Sequence, residues 1–270
     1  MSEVEWARLK AHELRALANQ NAVVIIPTAA TEQHGPHLPV MTDSLLGHEI
    51  AVRAARKAFP TRPTLVTPVI WPGLSEHHMP YGGTLILDHD TFVAVLRCLI
   101  TSVKRHGFQD VLISNSHGGN ALAVQVAADR LATETGATIV ATTYPSEAGE
   151  AFNQHLEDQA HLMHACEGET SMMMALVPDL VDTSDLAGIA VPRGKGALKA
   201  GNASYRWRSF TAVTANGISG DPTRSNPDKG EKLLEAAAQC LADLIADPET
   251  WAPAPDMRGR EIGGVPFRDK

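Results

Sequence analysis

Short runs rich in Val and Ile, each opening straight into a polar loop, constrain this sequence most. Ala22-Val23-Val24-Ile25-Ile26-Pro27 leads to Glu32-Gln33-His34-Gly35-Pro36-His37-Leu38-Pro39-Val40-Met41-Thr42-Asp43. Asp110 to Ser114 leads to Asn115-Ser116-His117-Gly118-Gly119-Asn120. Such runs are too short for buried helices, and their β-branched residues suit strands covered on both faces. Segments with helical spacing alternate with them. Glu5 to Asn19 carries Leu9, Leu14 and Leu17. Ser44 to Ala58 has Thr42 or Asp43 as its cap. Asp88 to His106 places Phe92, Val95, Leu96 and Leu99 on one face, and a further helix covers Asn120 to Thr135. Thr64 to Ile70, Leu85 to Leu87 and Thr138 to Tyr144 are the other strand candidates.

This alternation predicts an α/β fold, with a mostly parallel central sheet and helices on both faces as the outer layers of an α/β/α arrangement. In such sheets ligands lie beyond the carboxyl ends of the strands. The loops holding Glu32 and His117 both fall at that edge and can meet in space. Farther along, Phe152 to Met163 and Gly168 to Leu176 read as helices. Pro192 to Pro227 reads as loop with a few short strands, and Lys229 to Ile245 as a final helix. The length suits one large domain as well as two small ones. Residues 1–250 are read as a single domain and 251–270 as an extended, Pro/Gly-rich tail.

A net charge of −8 argues against nucleic acid or an anionic membrane as the main partner. No apolar run approaches a membrane span. The acidic start, Met1-Ser2-Glu3-Val4-Glu5-Trp6, lacks the apolar core of a secretory signal. Cys98, Cys166 and Cys240 are isolated, without CxxC spacing, which suits free thiols in a reducing cytoplasm.

Glu32, His34 and Asp43 together offer the carboxylate and imidazole donors that a hard-to-borderline divalent ion takes. Glu32 and His34 share a side in extended chain, and Gly35, Pro36 and Pro39 can bend the loop to bring Asp43 back. The competing reading is a polar surface loop with a helix cap at Asp43. His117 precedes paired glycines that let backbone approach a ligand, or that serve only a strand-to-helix turn. In His164-Ala165-Cys166-Glu167-Gly168-Glu169-Thr170-Ser171, two carboxylates and an imidazole lie beside a helix start, where the helix dipole already favours Glu. Cys166 is a tempting nucleophile, but an isolated Cys is more often buried and inert. His77 and His78 lie in a turn-rich loop, either lining a pocket or solvated. Met172, Met173 and Met174 read as core.

In their order, these motifs resemble the creatininase (creatinine amidohydrolase) family. The resemblance rests on Glu32 through Pro39 with Thr42-Asp43, on Ser116 through Asn120, and on His164-Ala165 with Glu169-Thr170-Ser171. Gly217-Ile218-Ser219-Gly220-Asp221-Pro222 and Gly230 look like the family's late glycine motif. The resemblance implies a compact α/β/α fold, often assembled as hexamers, and metal-dependent amide hydrolysis. It implies Glu32, His34, Asp43 and His117 as ligands of two divalent ions, Zn or Mn, with Asp43 bridging. Where creatininase has a ligating Glu two residues after the histidine, this chain has Gly119, and the resemblance points to Glu169 instead. His164 matches a histidine that handles protons, and His78 matches a pocket histidine. Creatininase also carries a Trp four residues before the histidine matching His164; here that residue is Ala160, which argues against creatinine itself.

The expected function is therefore hydrolysis of a cyclic or other small amide at a non-peptide C–N bond by a metal-activated hydroxide. In this reading Glu169 and His164 are catalytic, His164 shuttles the proton, and Asn120 or His78 orients substrate. A deformylase or short-peptide hydrolase is the alternative within the family, and Arg193, Lys195 and Lys199 could hold a phosphate-bearing substrate. A non-catalytic, metal-binding oligomeric protein is the alternative from another class. A cytoplasmic homo-oligomer is expected.

Overall fold

The computed structural model describes residues 2–157, 159–191, 205–258 and 261–266. Four strands, β1 (Val23–Thr28), β2 (Thr64–Val66), β3 (Asp110–Asn115) and β4 (Thr138–Thr143), form one sheet in the order β2-β1-β3-β4. Every pairing in it is parallel: Val24 sits opposite Val111, Thr28 opposite Asn115, and Asn115 opposite Thr143.

Side chains alternate across this sheet, as the two-residue period of a strand requires. Val24, Ile26, Val111 and Ile113 pack on one face against Phe92, Leu96 and Ile100 of α3 (His89–Arg105) and Val124, Ala127 and Leu131 of α4 (Ala121–Thr135). Val23, Ile25 and Leu112 pack on the other against Ala51, Val52 and Ala55 of α2 (Thr42–Ala58) and Ile245 of the last long helix. The expected three layers are present. α1 (Ala11–Ala18) lends Leu14 and Leu17 to the first core.

The chain runs from β1 to β2 through α2, and from β3 to β4 through α4 on the opposite face. Strand order therefore reverses between β1 and β3, which opens a crevice at their carboxyl ends. Both polar loops sit there.

Beyond β4 come two short helices, α5 (Tyr144–Glu147) and α6 (Gly149–Asn153). Then follow α7 (Glu167–Leu176), a short α8 (Leu186–Ile189) and α9 (Pro227–Ala246). Met172 and Met173 of α7 pack with Leu233, Leu234 and Ala237 of α9 and with Leu46 and Ile50 of α2. Polar contacts reinforce the α7–α9 contact. The buried Lys229 ammonium bonds Glu167, Glu157 at 2.6 Å and the Arg224 carbonyl at 2.9 Å. Asn226 caps α9 by accepting from the Lys229 N–H.

Several boundaries differ from the expected ones. The first helix breaks into a 3₁₀ turn, Trp6–Arg8, and α1, whose start is fixed by the Glu13 carboxylate accepting from the Lys10 N–H. The helix expected over Phe152 to Met163 ends at Asn153. There the Glu157 N–H turns to the Glu167 carboxylate, at 3.1 and 3.2 Å, and the Met163 N–H to Cys166 Sγ at 3.3 Å. Thr64 to Ile70 pairs as a strand only through Val66, with a lone bridge from Ile70 to Thr28, and Leu85 and Ile86 make lone bridges. Residues 192–204, with Arg193, Lys195 and Lys199, lie outside the described residues, whereas 205–226 holds only a 3₁₀ turn and isolated bridges. In the tail, Glu261–Ile262 and Val265–Pro266 form a small antiparallel pair, β5 and β6. Among the described residues, no helix is long and apolar enough to cross a membrane.

Candidate metal centre

Glu32 and His34 leave β1 on the bent loop, Asp43 enters α2, His117 follows β3, and Glu169 lies in the first turn of α7. The fold gathers these five into one buried cluster. His117 Nδ1 is 3.3 Å from Glu32 Oε1 and 3.2 Å from Asp43 Oδ2. His34 Nε2 is 3.4 Å from Asp43 Oδ1 and 3.8 Å from Glu169 Oε2. Asp43 thus gives one oxygen to each of two donor groups: Glu32, Asp43 and His117, and His34, Asp43 and Glu169. Neither Thr42 nor Asp43 caps α2, as the sequence suggested. The Thr42 hydroxyl donates to the Pro39 carbonyl, and Met41 holds the cap position.

The second nitrogen of each ligand-like ring is already occupied. His34 Nδ1 lies 3.1 Å from the Glu32 carbonyl. His117 Nε2 lies 3.2 Å from Ser75 Oγ and 3.3 Å from the Leu74 carbonyl. Such outer contacts turn the free nitrogen toward an ion. Glu32 Oε2, His34 Nε2 and Asp43 Oδ2 are buried and have no hydrogen bond. Buried polar atoms left this way are costly, and divalent ions would satisfy them. Carboxylate and imidazole donors in two overlapping sets suit Zn or Mn.

The electrostatics agree. Burial works against charge on His34 and His117, but the surrounding carboxylates prevail, raising His34 to about 9 and His117 well above the usual imidazole value. Burial also opposes charge on Glu32, yet the His117 imidazolium beside it holds it well below the usual range. Glu169, where burial wins, rises to about 8.

His164 and His78 flank this cluster. His164 Nδ1 and His78 Nε2 lie 3.5 and 3.4 Å from Glu32 Oε1. Phe210 packs against both rings, at 5.1 and 4.4 Å between centroids. Asn120 is placed differently. Its amide accepts from the Leu74 N–H at 2.9 Å and donates to the Ala29 carbonyl and Asn115, at 3.0 and 3.1 Å. It knots the loops together. Cys166 is buried beside Met163 and Gln159, and burial lifts its thiol to about 11, so it is no thiolate nucleophile.

Gly119 matters through close approach. A Cβ there would lie 2.3 Å from His117 Nε2 and 2.4 Å from the Leu74 carbonyl. A side chain starting there would have to displace the His117 ring and the Leu74 backbone, and the carboxylate that stands beside His34 and Asp43 is Glu169.

Sequence reasoning missed Gln33, whose amide contacts both His78 and His164. It also missed His37, bonded to Thr170 Oγ1 at 2.8 Å, and Phe210. None carries a local signal, although Gln33 and His37 sit inside the most informative motif.

Known proteins resemble this chain over most of its length. The creatininase family profile, described as creatinine amidohydrolase, matches residues 7–245. The mycofactocin precursor peptide peptidase of Mycobacterium ulcerans is 31% identical over 86% of this chain and 87% of its own. Creatinine amidohydrolase of Pseudomonas putida is 26% identical over 92% and 96%. A crystal structure of a Bacteroides fragilis protein, provisionally assigned as a creatinine amidohydrolase, superposes with a TM-score of 0.77 at 28% identity, covering 91% of this chain and 96% of that one. Creatininase structures described as Mn and Zn-Zn types share the fold at 25% identity. The chain belongs to the creatininase family of amidohydrolases.

Proposed function

We propose that this protein hydrolyses a small amide at a C–N bond, with Glu32, Asp43 and His117 holding one divalent ion and His34, Asp43 and Glu169 a second. The observation that carries this reading is the division of the Asp43 carboxylate between two buried imidazoles at 3.4 and 3.2 Å. When bound, a pair of divalent ions supplies Lewis acidity and makes water acidic enough to attack near neutral pH. His164 receives the proton of the attacking water and delivers it to the leaving nitrogen. The water oxygen bonds to the carbonyl carbon, the C–N bond breaks, and a carboxylate and a protonated amine result, the two water protons ending on the amine nitrogen. Phe210 excludes bulk water from this face. Asn120 positions the loops rather than touching substrate.

Ala160 stands where creatininase has a tryptophan, so an amide other than creatinine is favoured. A short peptide is the second reading, supported by the likeness to a peptidase. A cytoplasmic homo-oligomer completes the proposal. Its free cysteines support the compartment, and the half-exposed Trp71 and Leu85, on segments that both pair with Thr31, support self-association.

Metal analysis followed by a panel of cyclic ureides, lactams, formamides and dipeptides tests the proposal. Two equivalents of Zn or Mn and turnover of one class are expected, with both falling in Glu32→Gln. Full metal content and turnover in that variant would refute it.

A further inference from the structure

We infer that Gln33 is a positioning residue that makes His78 present an N–H, and His164 a bare nitrogen, to the reacting amide. The inference rests on the hydrolase reading above and names a role for a side chain that reading leaves idle.

Two backbone groups with fixed hydrogen-bonding chemistry flank the Gln33 amide. The Gly35 N–H can only donate, and it lies 3.0 Å from Gln33 Oε1. The Gly217 carbonyl can only accept, and it lies 3.2 Å from Gln33 Nε2. Together they settle which end of the Gln33 amide is oxygen and which is nitrogen. The remaining amide hydrogen points to His78 Nδ1, 2.6 Å away. An amide nitrogen donates and does not accept, so His78 Nδ1 is the bare nitrogen. The neutral His78 ring then carries its hydrogen on Nε2, 3.4 Å from Glu32 Oε1.

His164 is wired from the same residue through its backbone. The Gln33 carbonyl lies 2.8 Å from His164 Nε2. A carbonyl only accepts, so His164 Nε2 carries the hydrogen and Nδ1 is bare. That bare nitrogen lies 3.5 Å from the same Glu32 oxygen. The 3.1 Å approach of Gln33 Nε2 to His164 Nε2 then joins two donors and is not a hydrogen bond.

Two imidazoles of one tautomer thus face the cluster with opposite ends. His164 offers a lone pair, as an acceptor of the water proton must. His78 offers an N–H, as a donor to the carbonyl oxygen must when negative charge develops there. Without Gln33, the His78 ring would be free to carry its hydrogen on either nitrogen. The late glycine motif guards this arrangement: Gly217 has φ +88°, and a Cβ there would lie 1.8 Å from Gln33 Oε1.

Histidine-selective 15N spectra of the zinc-loaded protein test the inference directly, alongside steady-state kinetics. In the wild type, both His78 and His164 should show hydrogen on Nε2 and a bare Nδ1. In Gln33→Glu, a carboxylate oxygen replaces the donor, so the His78 hydrogen should move to Nδ1 while His164 keeps its tautomer. Turnover should fall about a hundredfold in kcat, the scale of losing one oxyanion donor, with KM changed by less than about threefold. Hydrogen on Nδ1 of His78 in the wild type would overturn the inference, as would an unchanged His78 tautomer and kcat in Gln33→Glu. If that variant does not fold, the wild-type spectrum still decides. Failure to bind zinc would overturn the metal reading and this inference together. Zinc bound with the opposite His78 tautomer would overturn this inference alone.

Discussion

Replacing Lys229 with Met tests how firmly the second donor group is held. The Lys229 side chain is 7% exposed and Glu167 fully buried, so their pair is screened little by solvent. Burial opposes the Lys229 charge, but hydrogen bonds to Glu157 and Glu167 raise its pKa. Breaking a buried pair by removing one partner costs about 3–5 kcal/mol. Two terms reduce that figure here. The Glu157 N–H still donates to both Glu167 oxygens, and the N-terminus of α7 favours a carboxylate there by up to about 2 kcal/mol. The Glu157 side chain is half-exposed, so losing its contact adds at most about 1 kcal/mol. The expected loss is about 2–4 kcal/mol, or about 5–15 °C in Tm for a chain of this size. Urea unfolding of the metal-free protein measures it. Lys229→Met/Glu167→Leu should recover most of the loss, because two apolar groups replace the pair together. A loss below about 1 kcal/mol in Lys229→Met, or no recovery in the double variant, would show that the pair does not anchor α7.

Metal binding should release about three protons at pH 7. In the metal-free protein His34 is raised from 6.5 to about 9, Glu169 from 4.5 to about 8 and His117 well above the usual imidazole value, so all three hold protons at pH 7 that an ion must displace. Titration calorimetry in buffers of different ionisation enthalpy counts them, and a count near zero would contradict the assignment. The His34 and Glu169 shifts set a sign for stability. Both folded values lie above the unfolded ones, so their contributions are complete below the ordinary pKa of each group. They are lost as pH rises through about 8 and about 9. The metal-free Tm should fall across that window, and a Tm that rose would refute the sign. Gly119→Ala should lower metal content and activity sharply while leaving the far-UV spectrum intact, because its methyl would meet His117 Nε2 at 2.3 Å. Unchanged metal stoichiometry in that variant would show that the loop relaxes freely.

The layers were legible because strand periodicity is local: Val23 to Ile26 announce a strand buried on both faces without reference to anything else. The position of the centre followed from the strand-order rule. Asp43 illustrates the limit. Its place in the first turn of α2 suits an ordinary helix residue, and only the return of the loop onto His34 and His117 gives each of its oxygens a partner. The segment after Phe152 misled because its apolar spacing is helical, while its backbone donors are claimed by Glu167 and Cys166 across the fold. Gln33 and Lys229 were invisible for a related reason. Gln33 meets His78, 45 residues away, and Gly217, 184 away, and Lys229 meets Glu167, 62 away. No window of sequence contains such pairs.

Glu32, His34, Asp43 and His117 are each at most 3% exposed, and Glu169 only 6%. Donors this far inside have already given up their water during folding, so an ion seated among them would have little solvent to strip from the protein. The cost of drying these groups is met by the fold, before any ion arrives.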